Sequence, residues 1–265
     1  MSITWGDQLL WILVGCSALM VVLWAVQMRT RDAGIVDVGW SASMGLAAAF
    51  CAATGEGDPQ RRVMIGCVGM LWGLRLASHL LFDRVLKGPE DGRYQMLRDR
   101  FPRGINAVLL GFFLAQAVSV ALLAMPFAIG AADRQPAPTV LDVAGLVVWL
   151  VGLTGETVAD RQLRRFKENA ANRGQVCTIG LWRYSRHPNY FFEWMMWVAY
   201  ALLASGSSLG PWAWSAPALI LFLVLKVTGI PPTEARAIQS RGEAYRRYQR
   251  TTSAFIPWFP KEDRA

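Results

Sequence analysis

Long apolar blocks alternate with short polar stretches along the whole chain. Seven of the blocks are long enough for a helix that rises about 1.5 Å per residue to cross a hydrocarbon core of about 30 Å. The predicted spans lie near 8–28, 34–53, 63–83, 106–129, 140–160, 189–205 and 213–230. A last segment, 232–250, is rich in Glu, Arg and Tyr and is predicted to be a helix outside the bilayer.

This pattern predicts an all-α integral membrane bundle of about seven transmembrane helices, folded as a single domain over 1–265. The composition agrees, because 17% of the residues are charged whereas soluble domains carry about 25%. The net charge of +8 comes from basic residues beside apolar spans. Such a distribution fits membrane topology and an anionic cofactor or lipid better than nucleic acid.

The Lys and Arg residues indicate the orientation of the bundle. One alternating set of loops holds most of them, and the other holds only Arg61, Arg62 and Arg134. The positive-inside rule places the first set in the cytoplasm, with the N-terminus outside and the C-terminus inside. The first seven residues contain no Lys or Arg, so we do not expect a cleaved signal peptide. We expect a multi-pass protein of the bacterial inner membrane.

Cysteine and histidine usage predicts no metal site. The four cysteines form no Cys-x-x-Cys pair, and the chain has only two histidines. Neither a zinc site nor a disulfide framework is therefore expected.

Polar side chains recur near the cytoplasmic ends of five predicted spans, where each ionisable group costs several kcal/mol. Arg75, His79 and Asp83 follow the spacing i, i+4, i+8 and share one helical face. The whole set is Asp37, Arg75, His79, Asp83, Glu156, Asp160, Asn189, Glu193 and Lys226. Their matching depth predicts one pocket, open to the cytoplasm for a soluble charged cofactor and to the side for a lipid.

Structural explanations exist for several of these residues. Lys226 could extend to the interface, Arg75 and Asp83 could pair around His79, and Asp160 could lie in water at a helix end. A transporter would also use intramembrane charges, but it usually needs polar groups on both sides of the midplane and internal repeats. The sequence contains neither.

The most specific motif is the segment 180–193, Gly-Leu-Trp-Arg-Tyr-Ser-Arg-His-Pro-Asn-Tyr-Phe-Phe-Glu. Pro188 is a favourable first residue of a helix, because its missing N–H is not needed there. Arg183, Arg186 and His187 surround this helix N-terminus, which is itself an anion-binding position.

The segment resembles the C-terminal signature of the steroid 5α-reductase and sterol reductase superfamily. Arg-His-Pro-x-Tyr is also shared by isoprenylcysteine carboxyl methyltransferases and phospholipid methyltransferases. Asp37 and Trp40 resemble the Asp-x-x-Trp of bacterial membrane proteins of unassigned substrate that are grouped with the 5α-reductases. The resemblance covers most of the chain and is strongest over 156–258.

The resemblance implies seven spans with NADPH held on the cytoplasmic side. Asn189 and Glu193 would then contact the nicotinamide carboxamide, and Arg161-Gln-Leu-Arg164 would reach the adenosine phosphates. In the tail, Tyr248 and 254–257 match a segment that closes over the cofactor. The candidate cofactor-binding residues are Glu156, Asp160, Arg161, Arg164, Arg173, Tyr184, Arg186, His187, Asn189, Tyr190, Glu193, Tyr245 and Tyr248.

Two departures from the 5α-reductases concern the substrate end of the site. Those enzymes place a Gln-Glu pair in the second span and a Tyr in the third, whereas this chain has Asp37 and, near the tyrosine position, His79. These departures count against a steroid itself, and the substrate classes considered are a steroid-like compound, an isoprenoid or an enone. Histidine transfers protons near neutral pH, so Asp37 and His79 are the catalytic candidates. Trp40, Arg75 and Asp83 are assigned to the substrate pocket.

Three functions follow in order of preference. The first is an NADPH-dependent reductase of a carbon–carbon double bond in a lipid-soluble compound. The second is an S-adenosylmethionine-dependent methyltransferase of a lipid or prenyl substrate, although those enzymes have Gly where Phe192 stands and paired glutamates where Thr233-Glu234 stands. The third is a non-enzymatic membrane protein or transporter. No Gly-x-Gly-x-x-Gly follows a strand pattern, so the prediction of NADPH binding rests on the family resemblance alone. The sequence does not indicate the oligomeric state.

Overall fold

The computed structural model describes residues 3–88 and 90–263. Within these ranges an isolated bridge between Ser185 and Ser253 is the only β pairing, so the prediction of an all-α fold is confirmed. The helices are α1 (Trp5–Thr30), α2 (Ile35–Thr54), α3 (Pro59–Leu80), α4 (Gly92–Arg100), α5 (Ile105–Leu123), α6 (Met125–Ala132), α7 (Val140–Glu168), α8 (Pro188–Ala204), α9 (Gly210–Ala213), α10 (Ser215–Phe222), α11 (Ile230–Arg241) and α12 (Glu243–Thr251).

Six helical segments of the described chain are long and apolar enough to cross a membrane. They are Trp5–Thr30, Ile35–Thr54, Pro59–Val85, Ile105–Ala132, Val140–Glu168 and Gly210–Arg241. The helix α8 has 17 residues and is not among them, so the count of seven and the orientation stay predictions. Two of these segments include π-helical turns, at Leu81–Val85 after α3 and at Leu223–Val227 after α10.

Capping residues set where the helices begin. Thr4 and Asp7 form a reciprocal capping box, so α1 begins at Trp5 and not near 8. Asp58 accepts from the amides of Gln60 and Arg61, and Pro59 occupies the first turn, so α3 begins four residues before the predicted span.

The chain divides into two compact units. The N-terminal unit contains Met1–Val143 and Tyr200–Ala216, and the C-terminal unit contains Ala144–Ala199 and Pro217–Ala265. The prediction of a single domain over 1–265 stays a prediction.

Close helix packing and an aromatic cluster form the core of the N-terminal unit. A side chain at Gly73 would place its Cβ 2.6 Å from the backbone nitrogen of Gly45, so α2 and α3 meet at a distance that only glycine permits. Trp72 contacts Trp40 and Tyr200 edge to face, with ring centroids 6.2 and 6.3 Å apart. Trp72 and Tyr200 are almost fully buried by these contacts, as is typical of aromatic side chains in a protein core.

A buried cluster of charged side chains lies at the start of α3 in the same unit. Arg61 binds both carboxylate oxygens of Asp142, through Nε at 3.1 Å and Nη2 at 2.9 Å. Its Nη1 donates to Asp133 and to the carbonyl of Gln135. Arg61, Asp133 and Asp142 are all buried, so this arginine joins α3 to α7 and to the segment between α6 and α7.

In the C-terminal unit, one loop is held from two sides. Trp182 Nε1 donates to the carbonyl of Ala159 on α7 at 2.9 Å. From the tail, the Trp258 amide donates to the Tyr184 carbonyl at 2.9 Å, and Ser185 Oγ donates to the Phe255 carbonyl at 2.8 Å. The loop before α8 is therefore fixed between α7 and the tail.

The Arg61 cluster gives a stability prediction. Arg61→Ala leaves two buried carboxylates without their cation. Removing one partner of a buried ion pair lowers the free energy of unfolding by about 3–5 kcal/mol. Thermal unfolding in detergent should register a large fall in Tm. The matched control is Arg134→Ala, because Arg134 is 76% exposed and pairs with Glu56 at the surface. That change is expected to cost less than about 1 kcal/mol, and equal losses in both variants would contradict the role of Arg61.

Candidate functional site

The predicted site residues fall into one group in each unit. The N-terminal unit holds the catalytic candidates Asp37 and His79, and the C-terminal unit holds the cofactor-binding candidates. The single pocket predicted for residues of both groups stays a prediction.

Asp37 is fixed by two residues of α4. Arg93 Nη2 donates to Asp37 Oδ2 at 2.8 Å, and the Tyr94 hydroxyl donates to Oδ1 at 2.9 Å. Burial favours a lower pKa for Arg93, but the Asp37 carboxylate outweighs it and raises the pKa of Arg93. Burial, and then the charge of Asp37, raise the pKa of Tyr94 well above its usual value. Both donors therefore keep their protons, and both oxygens of Asp37 act as acceptors.

Arg93 was not among the residues expected at the site, and Tyr94 was considered for the pocket but interpreted as a packing residue. They lie in the polar stretch 84–105, which reads as a loop between spans. Asp91 is the residue that could have indicated a helix in this stretch. It is the N-cap of α4, and its side chain accepts a hydrogen bond from the Arg93 amide.

A cavity of about 210 Å³ lies beside Asp37. Its described lining consists of Asp32, Gly34, Asp37, Leu80, Asp83, Arg84, Val85, Gly88 and Asp91. Asp83 also contacts His79, with Nδ1 and Oδ2 2.9 Å apart. The π-helical turn after α3 carries Asp83 and Arg84, and such turns are frequent at functional sites.

Two of the predicted substrate-pocket residues are not among this described lining. Trp40 Nε1 donates to Ser119 Oγ at 2.9 Å, and its ring packs on Trp72. Arg75 is also absent from the lining residues. The structure thus places Asp37 and Asp83 at one cavity and His79 in contact with Asp83, while His79 itself is not among the lining residues. It places Trp40 in the aromatic core.

A single carboxylate, Glu234 of α11, organises the C-terminal unit. Its Oε1 accepts from Arg186 Nε at 2.7 Å and lies 3.2 Å from His187 Nε2 and 3.4 Å from the Tyr245 hydroxyl. Its Oε2 accepts from Gln249 Nε2 at 2.6 Å. The Arg-His-Pro motif, α11 and α12 are therefore joined at one point.

Arg186 and His187 are largely enclosed by the chain itself. Arg186 Nη1 also donates to the carbonyls of Gln249 and Thr252. The His187 ring stacks on Tyr190, with centroids 5.4 Å apart and planes at 4°. Sequence reasoning treated Glu234 only as a departure from a paired-glutamate motif and so missed the residue that holds these two cofactor candidates.

Tyr245 and Tyr248 are buried in the same cluster. Burial, and then the Glu234 charge, raise the pKa of Tyr245, and burial is also the largest cause of the raised pKa of Tyr248. The Tyr248 hydroxyl donates to the carbonyls of Trp182 and Ser185. Tyr248 therefore holds α12 against the loop before α8, and Tyr245 joins α12 to α11 through Glu234.

The remaining cofactor candidates lie around the start of α8 and the end of α7. Asn189 Nδ2 donates to Asp160 Oδ1 at 3.4 Å. Glu156 is buried and Glu193 is partly buried, whereas the side chains Arg161, Arg164 and Arg173 are exposed where a soluble anion can reach them. In residues 3–88 and 90–263, no group of three or more His, Cys, Asp or Glu is arranged to hold a metal ion.

These features define a multi-pass α-helical membrane protein with polar clusters at the ends of apolar helices. The chain belongs to the family described as a protein of unknown function, DUF1295, which matches residues 23–252.

Relatives of the chain include two uncharacterized proteins of Schizosaccharomyces pombe. One is 26% identical over 89% of this chain and 76% of its own length, and the other is 24% identical over 77% and 72%. A probable O-methyltransferase of Ustilaginoidea virens, ustE, is 39% identical over 62 residues, which are 23% of this chain and 22% of that protein. These relatives are fungal, so the bacterial inner membrane stays a prediction. No solved structure matches the chain significantly.

The Glu234 cluster predicts a second stability difference. Glu234→Ala leaves the enclosed side chains of Arg186 and His187 without their carboxylate partner. We expect this change to lower the free energy of unfolding by about 3–5 kcal/mol. Glu243→Ala is the matched control, because Glu243 is 68% exposed and pairs with Arg246 and Arg250 at the surface. It should change stability by less than about 1 kcal/mol. Thermal unfolding checks both, and a Glu234 variant as stable as the control would contradict the assignment.

The raised pKa values of Tyr94, Tyr245 and Tyr248 predict a pH dependence. A phenol whose pKa is higher in the folded state stabilises the fold fully below its unfolded pKa of about 10. That contribution is lost as pH rises through the folded pKa. Absorbance titration should therefore show at least three of the six tyrosines ionising later in the native than in the denatured protein. Coincident titration curves would contradict these environments.

Proposed function

We propose that the protein is an NADPH-dependent reductase of a carbon–carbon double bond in a lipid-soluble substrate, with the cofactor bound by the C-terminal unit. The observation that carries the proposal is the polar start of α8. There, Asn189 meets Asp160 at 3.4 Å, and Glu193 follows one turn later on the same face of the helix.

The donor set at α8 suits a nicotinamide carboxamide. That group has one carbonyl acceptor and one amino donor, and an Asn amide paired with a Glu carboxylate offers the complementary donor and acceptor. Asp160 orients the Asn189 amide group, because the amide nitrogen donates to it. The hydride is the chemistry that NADPH supplies when bound.

Exposed cations near this start suit the phosphates of the cofactor. Arg186 is occupied by Glu234, so we assign the phosphate contacts to Arg161 and Arg164 at the end of α7 and to Arg173 in the following loop. Guanidinium groups bind phosphate oxygens in pairs, and NADPH carries a pyrophosphate and a 2′-phosphate. These three arginines replace Arg186 as the principal phosphate-binding candidates.

The cavity in the N-terminal unit suits proton handling. The Asp83 carboxylate fixes the ring of His79, which is the arrangement that sets which ring nitrogen carries the proton. Asp37, fixed by Arg93 and Tyr94, lines this cavity together with Asp83, and His79 is joined to the cavity through Asp83. We assign proton donation to His79, and we assign the orientation of a water or of a polar substrate group to Asp37.

A methyltransferase that uses S-adenosylmethionine is the second candidate. It is favoured by the 62-residue likeness to the probable O-methyltransferase ustE. The position that is Gly in the related methyltransferases is Phe192, whose ring fills the space over Gly155, where an added Cβ would lie 2.3 Å from it. This bulk next to the Arg-His-Pro motif is the reason why we rank the methyltransferase second.

Calorimetry with NADPH, NADH and S-adenosylmethionine tests the proposal on the full chain in detergent or nanodiscs. We expect NADPH to bind, and we expect Glu193→Gln to weaken it. Arg161→Ala with Arg164→Ala should raise its Kd about tenfold or more, which corresponds to about 1.4 kcal/mol, with a smaller effect on NADH. Arg134→Ala is the control and should leave binding unchanged.

Two other outcomes are informative. Binding of S-adenosylmethionine without NADPH would overturn the reductase in favour of the second candidate. Binding of neither compound by a protein with a normal unfolding transition would overturn both enzymatic functions.

A further inference from the structure

The tail that follows α12 presents three large apolar side chains to its surroundings. Ile256, Trp258 and Phe259 are 60%, 67% and 74% exposed, and we call residues 256–259 the tail tip. Leaving apolar surface in contact with water costs about 25 cal/mol of free energy for each Å². A segment held in this conformation by hydrogen bonds to its neighbours needs a partner for that surface.

The tail tip is fixed at the level where a membrane span ends. Exposed apolar side chains continue along α7 to Val158, and the first exposed cation, Arg161, follows within one turn. Trp182 Nε1 donates to the carbonyl of Ala159 at this level, and Tyr184, two residues later, accepts from the Trp258 amide. The chain of hydrogen bonds thus joins the tip to the boundary between the apolar and charged parts of α7.

Packing on α8 indicates the same level. The Phe255 ring lies 5.6 Å from that of Phe191 and 5.9 Å from that of Trp194. Phe191 is the fourth residue of α8, about 4.5 Å above its start by helical rise. The polar interfacial zone on each side of a bilayer core is about 5–7 Å thick, so the residues after Phe255 lie within reach of it.

We propose that the tail tip is an interfacial anchor, in which Trp258 and Phe259 insert into the boundary between phospholipid headgroups and acyl chains. Tryptophan is enriched at this boundary because its ring is apolar and its N–H is polar. The inference depends on the membrane spans and not on the proposed cofactor.

Charge contributes less than apolar contact to this anchor. The exposed face of α12 carries Arg246, Arg247 and Arg250, but Glu243 and Asp263 pair with them at 2.8–3.9 Å. The anchor therefore binds a zwitterionic phosphatidylcholine surface, and anionic lipid adds little to it.

Anchoring has a consequence for the candidate cofactor site. The Arg186 amide donates to the Ser253 carbonyl at 2.8 Å, and Ser185 Oγ donates to the Phe255 carbonyl at 2.8 Å. A tip held in the lipid boundary keeps these tail residues against the Arg-His-Pro motif. Through the tail, the bilayer thus helps to hold the loop before α8, which also contacts α7 and α11.

Site-directed spin labelling measures the position of the tip. The four cysteines of the full chain are replaced by alanine, and Phe259→Cys is labelled in phosphatidylcholine nanodiscs. Leu10→Cys on α1 gives a lipid-exposed reference, and Ala170→Cys in the loop after α7 gives a water-exposed one. We expect the ratio of oxygen to nickel-chelate collisions at 259 to exceed that at 170 severalfold, and a ratio equal to that at 170 would overturn the anchor.

A second change tests Trp258 itself. Adding Trp258→Ser to the labelled protein should move the collision ratio at 259 to the value found at 170. The control is Trp214→Ser, which removes an exposed tryptophan elsewhere and should leave the ratio unchanged. An unchanged ratio in the Trp258 variant would overturn the proposal, as would dipolar coupling between labels that shows the tip covered by a second copy of the chain.

Discussion

The carboxylate of Glu234 is the interaction on which the C-terminal unit depends. Arg186, His187, Tyr245 and Gln249 all point their polar atoms at its two oxygens. The side chains of Arg186, His187 and Glu234 are largely enclosed by the chain, where an unsatisfied charge is costly. The same requirement explains the Arg61 cluster, so pairing of polar groups at helix ends is the common rule of this fold.

The sequence predicted the membrane helices well and their ends less well. Apolar length determines where a span exists, and six of the expected segments meet that criterion in the described chain. The ends depend on capping side chains such as Thr4 and Asp58, which hydropathy does not weigh. The short α8, with 17 residues and the polar Asn189 and Glu193 on its first turns, is the predicted span that falls outside the criterion.

The candidate site was predictable only in part, because its contacts are distant in sequence. The Arg-His-Pro motif drew attention to Arg186 and His187 through local spacing. Their partner Glu234 lies 48 residues from Arg186, and Arg93 lies 56 residues from Asp37, and a single sequence gives no sign of such pairings. Local periodicity did predict the contact between His79 and Asp83, because it spans one helical turn.

In the proposed reductase, the C-terminal unit binds NADPH between the exposed arginines and the start of α8. Amide hydrogen exchange in nanodiscs, with and without saturating NADPH, tests it most directly because exchange reports local opening along the chain. We expect slower exchange in 161–173, 181–194 and 245–258 together, and little change in the rest of the chain. Unchanged exchange in all three segments would contradict NADPH binding at this site.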